Sequence, residues 1–175
     1  MKNFKNLIVL GPLIYALHHF EEHVVFNFRE WRLRYFANNN PSSTEEVLIM
    51  LISLLLIMIF IHLIKNNRAS AHIVLFFLMT TQIVNALFHI FFSFYYYDFS
   101  PGVITAILLY LPVNFFIIKA AFKEGYLKNK TELCILFVLG MSTFALFEAI
   151  GPVVIRYVIL LCPLYYLVIN KIEKA

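Results

Sequence analysis

Charge is what this chain has least of. Only 14% of its 175 residues are Asp, Glu, Lys or Arg, whereas 62% are hydrophobic and 17% aromatic. A soluble domain carries about 25% charged and about 45–50% apolar residues. A chain of this length cannot hide that excess in a core, because much of its surface stays outside. Lipid must solvate it. Other absences narrow the chemistry. There is no Gly-rich phosphate loop, no Cys-x-x-Cys pair and no serine in a nucleophile setting. There is no internal repeat and no low-complexity segment. The two cysteines, Cys134 and Cys162, lie in apolar runs and read as free thiols behaving as small hydrophobes. The net charge of +4 does not point to nucleic acid, because the basic residues gather at the ends of apolar runs, as membrane-flanking charge does.

What is present is a series of apolar runs, each near the 17–25 residues that a bilayer requires. The expected spans lie near 5–27, 46–64, 72–95, 103–122, 132–150 and 152–170. Phe, Leu and Ile fill both faces without strand alternation, so the spans are helices. The fold class is all-α, a polytopic transmembrane bundle of about six helices forming a single integral membrane domain. The first run follows Lys2 and Lys5, as a signal peptide would. It ends in His18, His19, Phe20, Glu21 and Glu22 rather than in small residues, and is expected to stay attached.

The breaks carry their own signals. Asn38 to Thr44 is a polar connection containing Pro41, and Ser43 with Glu46 forms a capping box for the second span. Asn66, Asn67 and Arg68 make a tight turn, and Pro101–Gly102 opens the fourth span. Gly151–Pro152 is so short a break that residues 132–170 read either as two spans or as one kinked pair. Trp31, Tyr35 and Phe36 alternate with Arg29, Arg32 and Arg34, which suits an anchor at the membrane–water interface. Lysine and arginine placement argues for both termini on the cytoplasmic side of the cell membrane.

Ionisable groups inside the runs are the informative exception. A charged side chain at bilayer depth costs about 2.5–3.5 kcal/mol on insertion scales, so it marks function by default. At about 1.5 Å rise per residue, Glu21 and Glu22 lie about 24 Å up the first span. His89 and Asn85 lie at about 25 and 20 Å in the third, and Glu148 at about 24 Å in the fifth, with Arg156 at a similar level in the sixth. Four spans deliver their costly residues to one layer.

Spacing sharpens this. His18, Glu21 and Glu22 stand at i, i+3 and i+4 on one helix face; His19 and His23 form a second i, i+4 pair about 100° away. Asn85 and His89 repeat the i, i+4 spacing. Glu and His so spaced on facing helices build carboxylate–imidazole metal sites in bundles. The expected ligands are His18, Glu22 and His89, holding zinc, iron or manganese. Glu21 and Glu148 act as further ligands or as acid and base groups, Asn85 lies beside them, and His19 and His23 either support the ligands or face the interface. Glu148 and Arg156 either join the site or form a structural ion pair. His62 and His72 are expected at the interface without a chemical role, and Asn114 as a helix–helix hydrogen-bonding group.

The run His18, His19, Phe20, Glu21, Glu22 reads His-x-x-Glu-Glu and resembles the signature of the HXXEE domain family, small integral membrane proteins without an assigned biochemical function. Asn85 with His89 is similar to that family's Asn-x-x-x-His motif. Phe99, Ser100, Pro101 and Gly102 resemble its Tyr-x-Pro-Gly motif, with Phe for Tyr; nearby Tyr97 is the candidate to supply the missing hydroxyl. The resemblance implies a membrane protein but no reaction. The residues themselves suggest a metal-dependent membrane enzyme, a hydrolase, isomerase or cyclase, with membrane lipid around it and a lipid or isoprenoid-like substrate. The alternatives are a proton- or metal-coupled small transporter and a non-catalytic membrane partner protein.

Overall fold

The computed structural model describes residues 3–37 and 42–174, apart from the side chains of 173 and 174. The Pro41 part of the polar connection lies outside them. The described residues form seven helices and no strand. Helix α1 comprises Phe4–Ile8, Leu10–Phe20 and a π-helical turn Glu21–Val25, joined through Val9 without leaving helical backbone angles. Then follow α2 (Phe28–Tyr35), α3 (Thr44–Lys65), α4 (Arg68–Tyr95), α5 (Val103–Lys123), α6 (Lys130–Ile150) and α7 (Val153–Lys174). Helices α3 to α7 are each long and apolar enough to cross a membrane. Helix α1, in segments joined at Val9, is not among those five. The chain is a helical membrane protein.

Local chemistry sets the ends. Ser43 and Glu46 form the expected capping box on α3. Asn66 takes a left-handed conformation (φ 46°), and Asn67 caps α4. Gly151, at φ 79°, ends α6, so α6 and α7 are separate helices that pack together as a hairpin.

Helix α4 is the axis of the bundle. Of its apolar window 61% is buried, against 11–28% for the other four spans, and it packs against α3, α5, α6 and α7. On α1 the buried positions run Phe4, Leu7, Ile8, Gly11, Ile14, Tyr15, His18, Glu21 and Glu22. That is a single i, i+3/i+4 stripe, so the costly groups continue the face that the apolar residues bury.

A buried polar link ties three helices together at mid-height. Gln82 on α4 donates to the Gly11 carbonyl (2.8 Å) and accepts from Asn114 on α5 (2.8 Å), which also donates to the Tyr110 carbonyl. Asn114 is therefore interhelical glue. At the end carrying Phe4 and Asn66, His62 and His72 are buried rather than interfacial. His62 Nδ1 meets Ser70 Oγ at 2.9 Å; His72 meets the Tyr165 hydroxyl and the Tyr126 carbonyl, both at 2.8 Å. Their polar edges serve helix-to-helix hydrogen bonds, which keeps them from water.

Helix α2 also departs from expectation. Trp31 is 2% exposed, not set in an interface: it packs on Phe28, Phe88 and Tyr96. Tyr35 stacks on Tyr96 at 3.9 Å and donates to Asp98 at 2.9 Å, which raises its pKa. The aromatic run folds back as a roof over the bundle because α4 offers rings of its own to receive it.

Replacing Gln82 with leucine strips partners from Gly11 and Asn114. It is expected to lower stability by about 1–2 kcal/mol in denaturation of the detergent-purified protein. Wild-type stability in that variant would contradict the link.

Candidate metal centre

The centre is assembled by α1, α4 and the start of α5. Three helices each contain one π turn, at Glu21–Val25, Met79–Val84 and Ala106–Tyr110. Such turns shift side-chain register and frequently occur at functional sites. Here the first contains both glutamates, the second precedes Asn85 and His89, and the third follows Thr105.

His18, Glu22 and His89 are buried at 1%, 8% and 0% exposure, and their ligand atoms lie within 4.8 Å of one another. Both imidazole Nε2 atoms face one oxygen. Glu22 Oε1 is 3.0 Å from His89 Nε2 and 3.3 Å from His18 Nε2. Neither contact is a well-formed hydrogen bond; the His89 Nε2 approach is short but out of line, and that atom has no hydrogen-bond partner among the described residues.

Both ring nitrogens of His18 have polar neighbours. The Thr105 oxygen lies 2.8 Å from His18 Nδ1 and 3.3 Å from the Gly102 carbonyl; in the tautomer with the proton on Nδ1, the hydroxyl accepts from the ring and donates to that carbonyl. In that tautomer His18 Nε2 is a lone pair, with the Asn85 amide nitrogen 3.4 Å away. His89 is held in the same manner by Ser100 Oγ, 2.9 Å from its Nδ1. With Nε2 unprotonated, its lone pair facing a buried carboxylate oxygen is repulsive unless a cation stands between them. Metal-ligating histidines are oriented by a hydrogen bond at the far nitrogen, most often to a carboxylate, a carbonyl or water; here hydroxyls stand in that place. The donor set fits a divalent ion.

Gly102 explains the Pro-Gly motif. Its φ is +100°, and an added Cβ would lie 2.8 Å from His18 Cε1, 2.9 Å from Glu22 Cγ and 3.0 Å from His89 Cε1. Only a residue without a side chain brings the α5 start this close to all three. Glu21 turns away from the ligands toward α5. It accepts the backbone N–H groups of Gly102 and Ile104 at 3.1 Å and of Thr105 at 2.7 Å. It thereby supplies the anion that a helix N-terminus favours.

A cavity of about 180 Å³ reaches this centre from one side. It is lined by Glu22, Asn85, His19, His23, Phe144 and Glu148 among others, with Arg29 and Arg32 of α2 at its wall. Glu148 pairs with Arg32, its Oε2 lying 3.1 Å from Nε and 3.0 Å from Nη2. It does not pair with Arg156, which is exposed, lies outside the cavity lining and makes no ion pair among the described residues. The fold-back of α2 carries Arg32 to α6, where it takes this carboxylate. Of the residues singled out by sequence, His18, Glu22, His89 and Asn85 meet, Glu21 adjoins them through α5, and Glu148 shares their cavity. Tyr97 is 98% exposed and supplies no hydroxyl to the site; Phe99 packs on Phe26.

Ser100, Thr105 and Arg32 went unrecognised by sequence reasoning. The first stood inside the quoted Phe-Ser-Pro-Gly motif, where only its hydroxyl hinted at a role.

Residues 9–117 match the family model described as a protein of unknown function with HXXEE motif. The chain belongs to the HXXEE family. The matched region contains the whole candidate centre, while Glu148 and Arg156 lie beyond it. No curated protein and no solved structure matches the chain.

Two glycines offer a controlled comparison. Gly125 has φ +77° and nothing within 4 Å of an added Cβ, so Gly125→Ala incurs only the backbone penalty of about 1–2 kcal/mol. Gly102→Ala adds a clash with all three ligands and is expected to cost clearly more in thermal unfolding. Equal losses would mean that the close approach has no energetic weight.

Proposed function

We propose that the protein is a membrane-embedded enzyme in which His18, Glu22 and His89 hold a divalent metal ion (zinc, iron or manganese), acting on a lipid or isoprenoid-like molecule that enters from the bilayer. The observation carrying this reading is the convergence of two buried imidazole nitrogens on one carboxylate oxygen, out of line for hydrogen bonding, at the end of a largely apolar cavity. A bound divalent ion supplies polarisation of a substrate oxygen or a water of lowered pKa.

The chain's own residues supply the rest. Thr105 and Ser100 hold the imidazoles so that Nε2 faces the centre. Glu21 anchors the start of α5 and so positions Thr105 and Gly102. Asn85 offers an amide donor at the cavity wall, and Glu148, steadied by Arg32, is the carboxylate opposite Glu22 for moving a proton. Arg29, at the cavity wall, is the cation for a substrate head group, since Arg156 lies outside the lining. Phe88, Phe144 and Phe147 give the cavity the apolar wall that an acyl or prenyl chain needs.

A transporter would need polar groups along a route through the membrane. Below the centre Ile8, Leu75, Leu78 and Ile117 fill the bundle, and the polar groups among them, Gln82, Asn114, His62 and His72, are engaged in helix-to-helix hydrogen bonds, which supports a pocket open on one side. The lysines at the opposite end, among them Lys5, Lys65 and Lys123, support termini on the cytoplasmic side of the cell membrane.

Protein purified in detergent without chelator is expected to retain a transition metal in stoichiometric amount by elemental analysis. His18→Ala and His89→Ala should lose it from the buried site while keeping wild-type helical content. Stoichiometric absence of metal from the wild type would refute the proposal, and Glu22-dependent metal or proton flux in reconstituted vesicles would favour the transport alternative.

A further inference from the structure

The two oxygens of Glu22 face different pairs of histidines. Oε1 meets the buried pair His18 and His89, whereas Oε2 lies 3.7 Å from His23 Nε2. His19 and His23, one turn apart on α1, have ring centroids 4.4 Å apart. Each offers a ligand atom within 4.8 Å of the other's and of a Glu22 oxygen. Both are half-buried and line the cavity together with Glu22, while His18 and His89 lie behind it. Neither forms a hydrogen bond to another side chain or to backbone among the described residues. Glu45, at the start of α3, adds a second negative charge felt by both rings.

We infer that Glu22 bridges two divalent metal ions: one held by His18, Glu22 and His89, and a second, on the cavity side, held by His19, Glu22 and His23. This rests on the metal reading of the buried site. The ligand atoms of the second group, all within 4.8 Å of one another, need to close by at most about 1.4 Å to reach the tetrahedral spacing set by metal–ligand bonds of ~2.0–2.2 Å. Both side chains border the cavity rather than the packed core. Carboxylate-bridged pairs hold their ions about 3.5–4 Å apart, close enough for magnetic coupling.

The test loads stripped full-length protein in detergent with Mn²⁺, removes free ion by gel filtration and counts bound ions per chain, with an electron paramagnetic resonance spectrum of each sample. The wild type is expected to hold two ions with a coupled spectrum, and the double variant His19→Ala/His23→Ala to hold one with an isolated six-line spectrum. Should that variant not fold, His19→Asn/His23→Asn repeats the comparison, and the wild-type spectrum stands independently of either. One ion in the wild type, unchanged by the double variant and lost in His18→Ala, would overturn the bridge while leaving the buried site intact. Two ions in the double variant would overturn the second site. No ion in the wild type would overturn both readings.

Discussion

A single buried carboxylate, that of Glu22, sets the terms for the upper half of this bundle. Burying an anion among helices demands compensation, and hydrogen bonds alone do not provide it here. Around it stand two imidazoles, a glycine without room for a methyl group and an apolar cavity. The α5 start, the π turns and the hydroxyls behind the histidines make sense as parts of one device that keeps Glu22 and its neighbours in place. The lower half follows ordinary membrane-bundle rules: a buried axis, small polar links and aromatic packing.

The division of labour between Glu21 and Glu22 shows how adjacent carboxylates acquire different tasks. Successive residues on a helix point about 100° apart, so only one of the two can face the histidines. Glu21 instead meets three backbone N–H groups and fixes the loop that carries Gly102 and Thr105. A Glu-Glu pair in this setting therefore joins a ligand to the group that aligns its surroundings.

Much of this was legible in the sequence. The stripe from Phe4 to Glu22 is a matter of periodicity; depth counting brings Glu22, Asn85 and His89 to one layer, and i, i+4 spacing joins His18 to Glu22. Counting depth does not give azimuth, however. Arg156 shares the level of Glu148 yet faces outward, while Arg32, assigned to a surface anchor, swings back to take that carboxylate. The same limit applies to Trp31: composition identifies an amphipathic ring beside arginines, but only the rings of α4 decide whether it meets lipid or protein. His62 and His72 were misplaced because position near a helix end was read as exposure, whereas neighbouring hydroxyls and carbonyls buried them. The π turns leave no mark in residue type, and hydroxyls such as Thr105 acquire meaning only once their partner is known.

The central claim, that His18, Glu22 and His89 converge on a cation, is tested most directly by X-ray absorption fine structure of the zinc-loaded wild-type protein. The account predicts a first shell of imidazole nitrogen and carboxylate oxygen at about 2.0–2.2 Å, with outer-shell scattering from imidazole rings. A first shell of water oxygens alone, without imidazole scattering, would contradict it.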